Sequence, residues 1–311
     1  MESEKGILET NILKGIMWAM LASALWGTSG TILQFVSQNA SIPAGWFLST
    51  RTIISGIVLL SIGGFMYHKE IFNVWKDKSV ILWLLAYGVL GLGANLMTFY
   101  LSVQTGNADA STILQYLSPV FILIGSIVFQ HRRPMKSDMV VFLISLLGVF
   151  LSITQGDIHK LSIPMNSLIW GILSGVTAAF YVVLPRPVLK KYPPVVVLGW
   201  GTLVAGIIFN LHQPIWIDTP KLSLFTILGI GAIILFGTIL PFLIILHALK
   251  FAPSEAVSLV DAVQPVVTFI LSFVFFNTGL NLIKVFGAGL VILAIFILQR
   301  SHRKLSIDKN G

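Results

Sequence analysis

SEAVSLVDAVQPVVTFILSFVFF, residues 254–276, reads as a membrane helix with one polar face, and an earlier stretch repeats its layout. Shifted back by 146 positions it falls without a gap on ADASTILQYLSPVFILIGSIVFQ, residues 108–130, with Pro265 on Pro119. Each stretch is about the length a helix needs to cross a hydrocarbon layer of roughly 30 Å. In the later copy Ser254, Ser258, Asp261, Pro265, Thr268 and Ser272 recur at steps of four and three, which holds them on one side of a helix. Ala108, Thr112, Gln115, Pro119, Ile122 and Ser126 keep the same register in the earlier copy, with fewer polar groups. Lipid cannot satisfy such a stripe, so both helices are expected to face protein or a water-filled cavity.

Composition agrees with that reading. Of 311 residues, 56% are hydrophobic and 10% charged, which sets the chain apart from soluble domains and marks a polytopic membrane protein. There is no cysteine, which excludes disulfides, thiolate metal sites and a thiol nucleophile. The first apolar segment is longer than a signal-peptide core and lacks a small-residue exit, so it is expected to stay as the first span.

Hydropathy and turn residues place ten helices at about 12–36, 43–66, 80–104, 108–129, 138–154, 167–184, 194–211, 223–249, 254–276 and 282–299. Basic residues test the count. With this threading, Lys160, Lys221 and Lys284 lie on one side, Arg51 lies within a span, and every other Lys and Arg shares the side of both termini. That is the positive-inside pattern, so both termini are expected in the cytoplasm. The net charge of +8 is then a topology signal, and a nucleic-acid surface is not expected.

The 146-residue offset pairs span four with nine, three with eight and five with ten. Ala24-Leu25-Trp26 in span one also sits opposite Ala178-Ala179-Phe180 in span six, and Ile53–Ile57 near Leu203–Ile207. The expected fold is therefore an all-α integral membrane protein of two five-helix repeats, residues 12–154 and 167–299. Five is odd, so the second repeat is inverted relative to the first, an architecture of transporters that rock around a central site.

Several residues carry a resemblance. Ala24 to Thr31 (ALWGTSGT), Arg51, Gln115 to Phe121 (QYLSPVF), Ala178 to Tyr181 (AAFY) and Ala248 to Ala256 (ALKFAPSEA) are similar to EamA-type permeases of the drug/metabolite transporter superfamily. The similarity is closest to the bacterial branch of carboxylate, amino-acid or amine transporters. The resemblance implies ten helices, a cytoplasmic-membrane location and transport of small metabolites, often export. Many members place Glu after the fourth and ninth helices, where this chain has Gln130-His131 and Phe276-Asn277.

Candidate cargo-binding residues follow from charge at membrane depth. Arg51, roughly 12 Å into span two by helical rise, is suited to dock a carboxylate, or it pairs with Asp109 or helix-end carbonyls. Asp261 is suited to proton coupling or to holding an amine, or it is held by Ser258. Asp109 and Glu255 read as first-turn acids that complement the helix dipole. Gln115, Gln264 and Asn95 offer donors and acceptors, with interhelical bonding as the alternative. Trp26, Tyr116 and Tyr181 read as cavity walls or as packing. Pro119 and Pro265 are expected to act as hinges at matching depths. The small-residue stripes Ala19-Ser23-Gly27-Thr31 and Gly171-Gly175-Ala179 are expected to allow close helix packing.

No metal-ligand spacing, phosphate loop or catalytic triad is present, so neither cofactor nor enzymatic activity is expected. The function expected is secondary export of small polar metabolites, amino acids or carboxylates, by alternating access. A proton-coupled exporter of cationic drugs, a lipid-carrier flippase and an integral-membrane enzyme are the alternatives. The expected partners are a small-molecule cargo and the bilayer, and the chain is compatible with a monomer.

Overall fold

In a computed structural model, residues 2–40, 42–131, 136–157, 161–217, 219–220, 222–252, 257, 260–276 and 281–308 are described. They are helical, with no β-strand among them. The first half comprises α1 (Glu2–Asn39), α2 (Ala44–Tyr67) extended by a 3-10 turn (His68–Trp75), and α3 (Lys78–Ala86). A π-helical turn, Tyr87–Gly93, then leads into α4 (Ala94–Thr105), followed by α5 (Ala108–Gln115), α6 (Ser118–Gln130) and α7 (Lys136–Thr154). The second half comprises α8 (Met165–Val183), the short α9 (Arg186–Leu189), α10 (Pro194–His212) and α11 (Leu224–Ile234). A second π-helical turn, Leu235–Ile239, precedes α12 (Leu240–Ala248), α13 (Val263–Phe276) and α14 (Leu282–Asp308).

Among the described residues, seven helical stretches are long and apolar enough to cross a membrane, and Met139–Thr154, Val263–Phe276 and Leu282–Ile297 are shorter apolar helices. Large apolar side chains such as Phe65, Leu211, Phe275 and Leu282 stand fully outward. An apolar exterior of this extent suits lipid and not water.

Helix starts are written locally. Asn107 and Ser223 each accept a hydrogen bond from the backbone N–H three residues on, at 2.9 and 3.1 Å, as N-caps do. Pro43, Pro164 and Pro193 stand just ahead of α2, α8 and α10, where a missing N–H costs nothing. α2 packs along α10 and α7 along α14, while α1 lies against α12 and α13, and α8 against α4 and α5. The close pairs meet at glycines. A Cβ on Gly56 would stand 2.8 Å from the Leu203 backbone nitrogen, and one on Gly148 2.7 Å from the Gly287 carbonyl oxygen.

One end of the bundle gathers the connections near 38–40, 42–46, 103–109, 155–157, 161–167, 213–215 and 281–284. Gln38 donates to the Val103 and Gly106 carbonyls, Trp46 to the Ile215 carbonyl, and Asn281 to Gln155. The other end joins 73–79 to 191–192 through Lys191 to Asp77 and Tyr192 to the Asn73 carbonyl.

Where the sequence leads one to expect continuous helices, the structure interrupts four of them. The stretches 80–104 and 223–249 pass through the two π-helical turns. The stretch 108–129 breaks at Tyr116-Leu117, and the later one turns at Asp261-Ala262. Pro119 is therefore not a mid-helix kink but the second residue of α6, and Pro265 is the third of α13. A first-turn N–H has no intrahelical acceptor to lose, so proline starts these helices at no hydrogen-bonding cost. Ser254, Glu255 and Ser258 lie outside the described residues.

Candidate functional site

A cavity of about 480 Å³ lies where the interrupted helices meet. Its wall includes all eight residues singled out from sequence: Trp26, Arg51, Asn95, Gln115, Tyr116, Tyr181, Asp261 and Gln264. Pro119 also touches it, whereas Pro265 is buried behind it.

Arg51 is 7% exposed, and its partners are neither Asp109 nor any other acid among the described residues. Its Nε and Nη2 donate to Thr238 Oγ1 at 3.2 and 3.1 Å, and Nη2 donates to the Gly237 carbonyl at 3.1 Å. The acceptors belong to the second π-helical turn, whose geometry frees carbonyls that a regular helix would use. A guanidinium at membrane depth needs such satisfaction. Gly237 permits the contact, since a Cβ there would strike the Ser29 hydroxyl and come within 3.0 Å of Arg51 Nη2.

Asp261 receives a hydrogen bond from Ser23 on α1, Oγ to Oδ1, at 3.1 Å. Its backbone carbonyl accepts from the Tyr116 hydroxyl, which also stands 3.4 Å from Gln264 Oε1. The two helix breaks, Tyr116-Leu117 and Asp261-Ala262, thus touch each other across the cavity. α1 can approach α13 because of Gly27, where a Cβ would lie 2.6 Å from the Gln264 carbonyl oxygen.

Asn95 and Gln115 orient one another. Gln115 Nε2 donates to Asn95 Oδ1 at 3.3 Å and to Ser174 Oγ at 3.1 Å, while Asn95 Nδ2 donates to the Ser174 carbonyl at 3.0 Å. These amides tie α4, α5 and α8 together at the cavity wall. Trp26 meets Phe242 edge-on at 5.3 Å, and Tyr181 stands 6.4 Å from Phe242 and 5.7 Å from Tyr87. Trp26, Phe242 and Tyr181 of this row line the chamber. His247 lies away from it, between Trp18 and Phe251.

Ser23 bonds Asp261, and Ser29 stands against Gly237, which bonds Arg51. Six residues of α1 separate these serines, roughly 9 Å by helical rise. The chamber is thus bipolar, with a guanidinium and a carboxyl group set at different points of its wall.

Sequence reasoning passed over Ser23 as a partner for Asp261, and over Ser29, Thr238, Gly237 and Phe242. Ser23 was signalled by its place on the same small-residue stripe as Gly27. Gly237 was signalled by its position 146 residues after Gly91, each within its π-helical turn.

The chain matches the EamA-like transporter family twice, over residues 13–154 and 165–300. It is 27% identical over 291 residues to YicL of Salmonella typhimurium, described as an uncharacterized inner membrane transporter, covering 94% of this chain and 97% of that one. An uncharacterized transporter of Archaeoglobus fulgidus is 26% identical over 92% of this chain and 99% of its own. YwfM of Bacillus subtilis, also an uncharacterized transporter, is 22% identical over 93% and 94%. A solved crystal structure shares the fold with a TM-score of 0.64 at 16% identity, covering 94% of this chain and 98% of that one. With two family matches that together span nearly its whole length, this multi-pass membrane protein belongs to the EamA-like transporter family.

Proposed function

We propose that the chain is a secondary transporter that exports small polar metabolites, amino acids or related carboxylates, across the cytoplasmic membrane by alternating access. In this reading ten spans form two inverted five-helix units, 12–154 and 167–299, with both termini in the cytoplasm. The equivalent interruptions support it: the π-helical turns hold Gly91 and Gly237, 146 residues apart, and the helix breaks fall at Tyr116-Leu117 and Asp261-Ala262. Broken helices around a cavity are what a transporter of inverted repeats uses to bind cargo and to pivot.

The observation that carries the reading is the bipolar chamber, with the Arg51 guanidinium at one pole and the Asp261 carboxylate at the other. Arg51 would orient a carboxylate, Asp261 would hold an ammonium group or a coupling proton, and Gln115, Gln264 and Asn95 would fix the solute between them. Purified protein in liposomes, offered a panel of labelled amino acids, carboxylates and organic cations, tests the class. Saturable uptake of a zwitterion or carboxylate is expected, and indifference to the whole panel contradicts the reading.

The aromatic row beside Asp261 favours one second reading, a proton-coupled exporter of organic cations, because aromatic faces and a carboxylate together suit ammonium groups. Uptake of a quaternary ammonium compound with no uptake of any carboxylate would select it.

A further inference from the structure

Asp109 and Lys284 form an ion pair buried in the protein, at 1% and 6% exposure, between positions 175 residues apart. Asp109 lies in the first turn of α5 and Lys284 in the first turns of α14. The remaining carboxylate oxygen accepts from the Ala110 N–H at 3.0 Å, and the ammonium stands 5.3 Å from the Phe269 ring centroid on α13. Around the pair the start of α14 is fixed to the end of α7. Asn281 donates to Gln155 at 3.2 Å, and Ser152 donates to the Lys284 carbonyl at 3.3 Å.

Following both helices inward from the pair reaches an apolar layer of Ile113, Ala288 and Val291, with Tyr116 and Phe269 packed on it. The next residues inward, Tyr116 on one side and Ile292 and Ile295 on the other, line the cavity. The ion pair and this apolar layer thus stand between the chamber and this end of the bundle. Shifted by 146, Asp109 corresponds to Glu255 and Lys284 to Asp138, whose side chains lie outside those described.

A buried ion pair has two satisfied states. Closed and dry, each charge is met by the other; parted and wet, each regains its hydration, and intermediate separations satisfy neither. That is the character of a two-state switch element. We propose that the Asp109–Lys284 pair is a latch that holds this end of the cavity shut and breaks when the cavity opens there. The proposal rests on the alternating-access reading, but its test needs no cargo.

The chain has no cysteine, so a single introduced thiol reports alone. Ile122→Cys places it in the cavity wall, and in a separate protein Trp216→Cys, an exposed position at the latch end, identifies the side. A membrane-impermeant maleimide added from the Trp216 side is expected to label Ile122→Cys slowly. Asp109→Asn or Lys284→Met should raise the rate by about 5-fold or more, and the swap Asp109→Lys with Lys284→Asp should return it to slow. Unchanged labelling in the single variants, or a folded swap that labels as fast as they do, overturns the latch.

Should a lone buried charge prevent folding, Asp109→Asn with Lys284→Gln removes the pair and leaves no bare charge. It is expected to label fast, and slow labelling overturns the proposal. Labelling that behaves as stated in a protein that moves no solute refutes the transport reading alone. Transport with labelling indifferent to the pair refutes the latch alone.

Discussion

The Ser23 hydroxyl donates to the Asp261 carboxylate at 3.1 Å, joining α1 to the second helix break across 238 residues of chain. A hydrogen bond to a charged group contributes about 1.5–3 kcal/mol, and here it aims the carboxylate into the cavity. Ser23→Ala is expected to lower apparent cargo affinity by about 10-fold, the equivalent of roughly 1.4 kcal/mol. Ser23→Thr, which keeps the hydroxyl, should retain most of it. Binding or uptake titrations of the two variants check this.

Arg51 spends two nitrogens on the second π-helical turn and so both holds that turn and faces the chamber. Lysine keeps the charge but not the fork, and cannot meet Thr238 and Gly237 with the same geometry. Arg51→Lys is expected to cost about 2 kcal/mol of stability and to weaken carboxylate uptake together with it. Thermal unfolding and uptake measured on one preparation check both effects.

At Gly237 a methyl group would run into the Ser29 hydroxyl. Gly237→Ala is expected to destabilise the protein by about 1–3 kcal/mol, as overpacking does. Adding Ser29→Ala removes the obstacle and should recover part of the loss. A double-mutant cycle with a clearly non-additive term verifies the contact.

Away from the membrane core, Asp77 accepts hydrogen bonds from Ser79 and Lys191, which hold its carboxyl down at about 2. A depressed carboxyl stabilises the fold above its ordinary value, near 4, and loses that contribution as pH falls through about 2. The junction of residues 77–79 with Lys191 should therefore hold at pH 5 and above, and loosen between about pH 4 and pH 2. Amide exchange at Ser79, whose N–H donates to Asp77 at 3.0 Å, reports it. Asp77→Asn should abolish the acid transition.

Much of this arrangement is legible in the chain. The polar stripe that includes Asp261, Thr268 and Ser272 faces protein, and the small-residue stripe of α1 lets Gly27 rest on α13. Arg51 and Asp261 declare themselves because a charge at membrane depth has few inexpensive fates. The π-helical turns are not legible, because hydropathy reports a residue's transfer energy and not whether its carbonyl bonds four or five residues on. Nor is the Asp109–Lys284 pair. Lys284 reads as a charge at the membrane surface, at the start of the last helix, and only the folded structure brings its ammonium onto Asp109 of α5. That Ser23 of α1 reaches Asp261 is likewise a property of helix packing, which sequence distance conceals.

In the proposed function, solute crosses through the chamber that Asp261 helps to line. Counterflow in proteoliposomes, with wild type and Asp261→Asn reconstituted to equal density, tests it most directly. Saturable exchange is expected in the wild type, with a loss of about 10-fold or more in Asp261→Asn and with unfolding temperature and reconstitution unchanged. Equal, pH-independent exchange in the two proteins would contradict it.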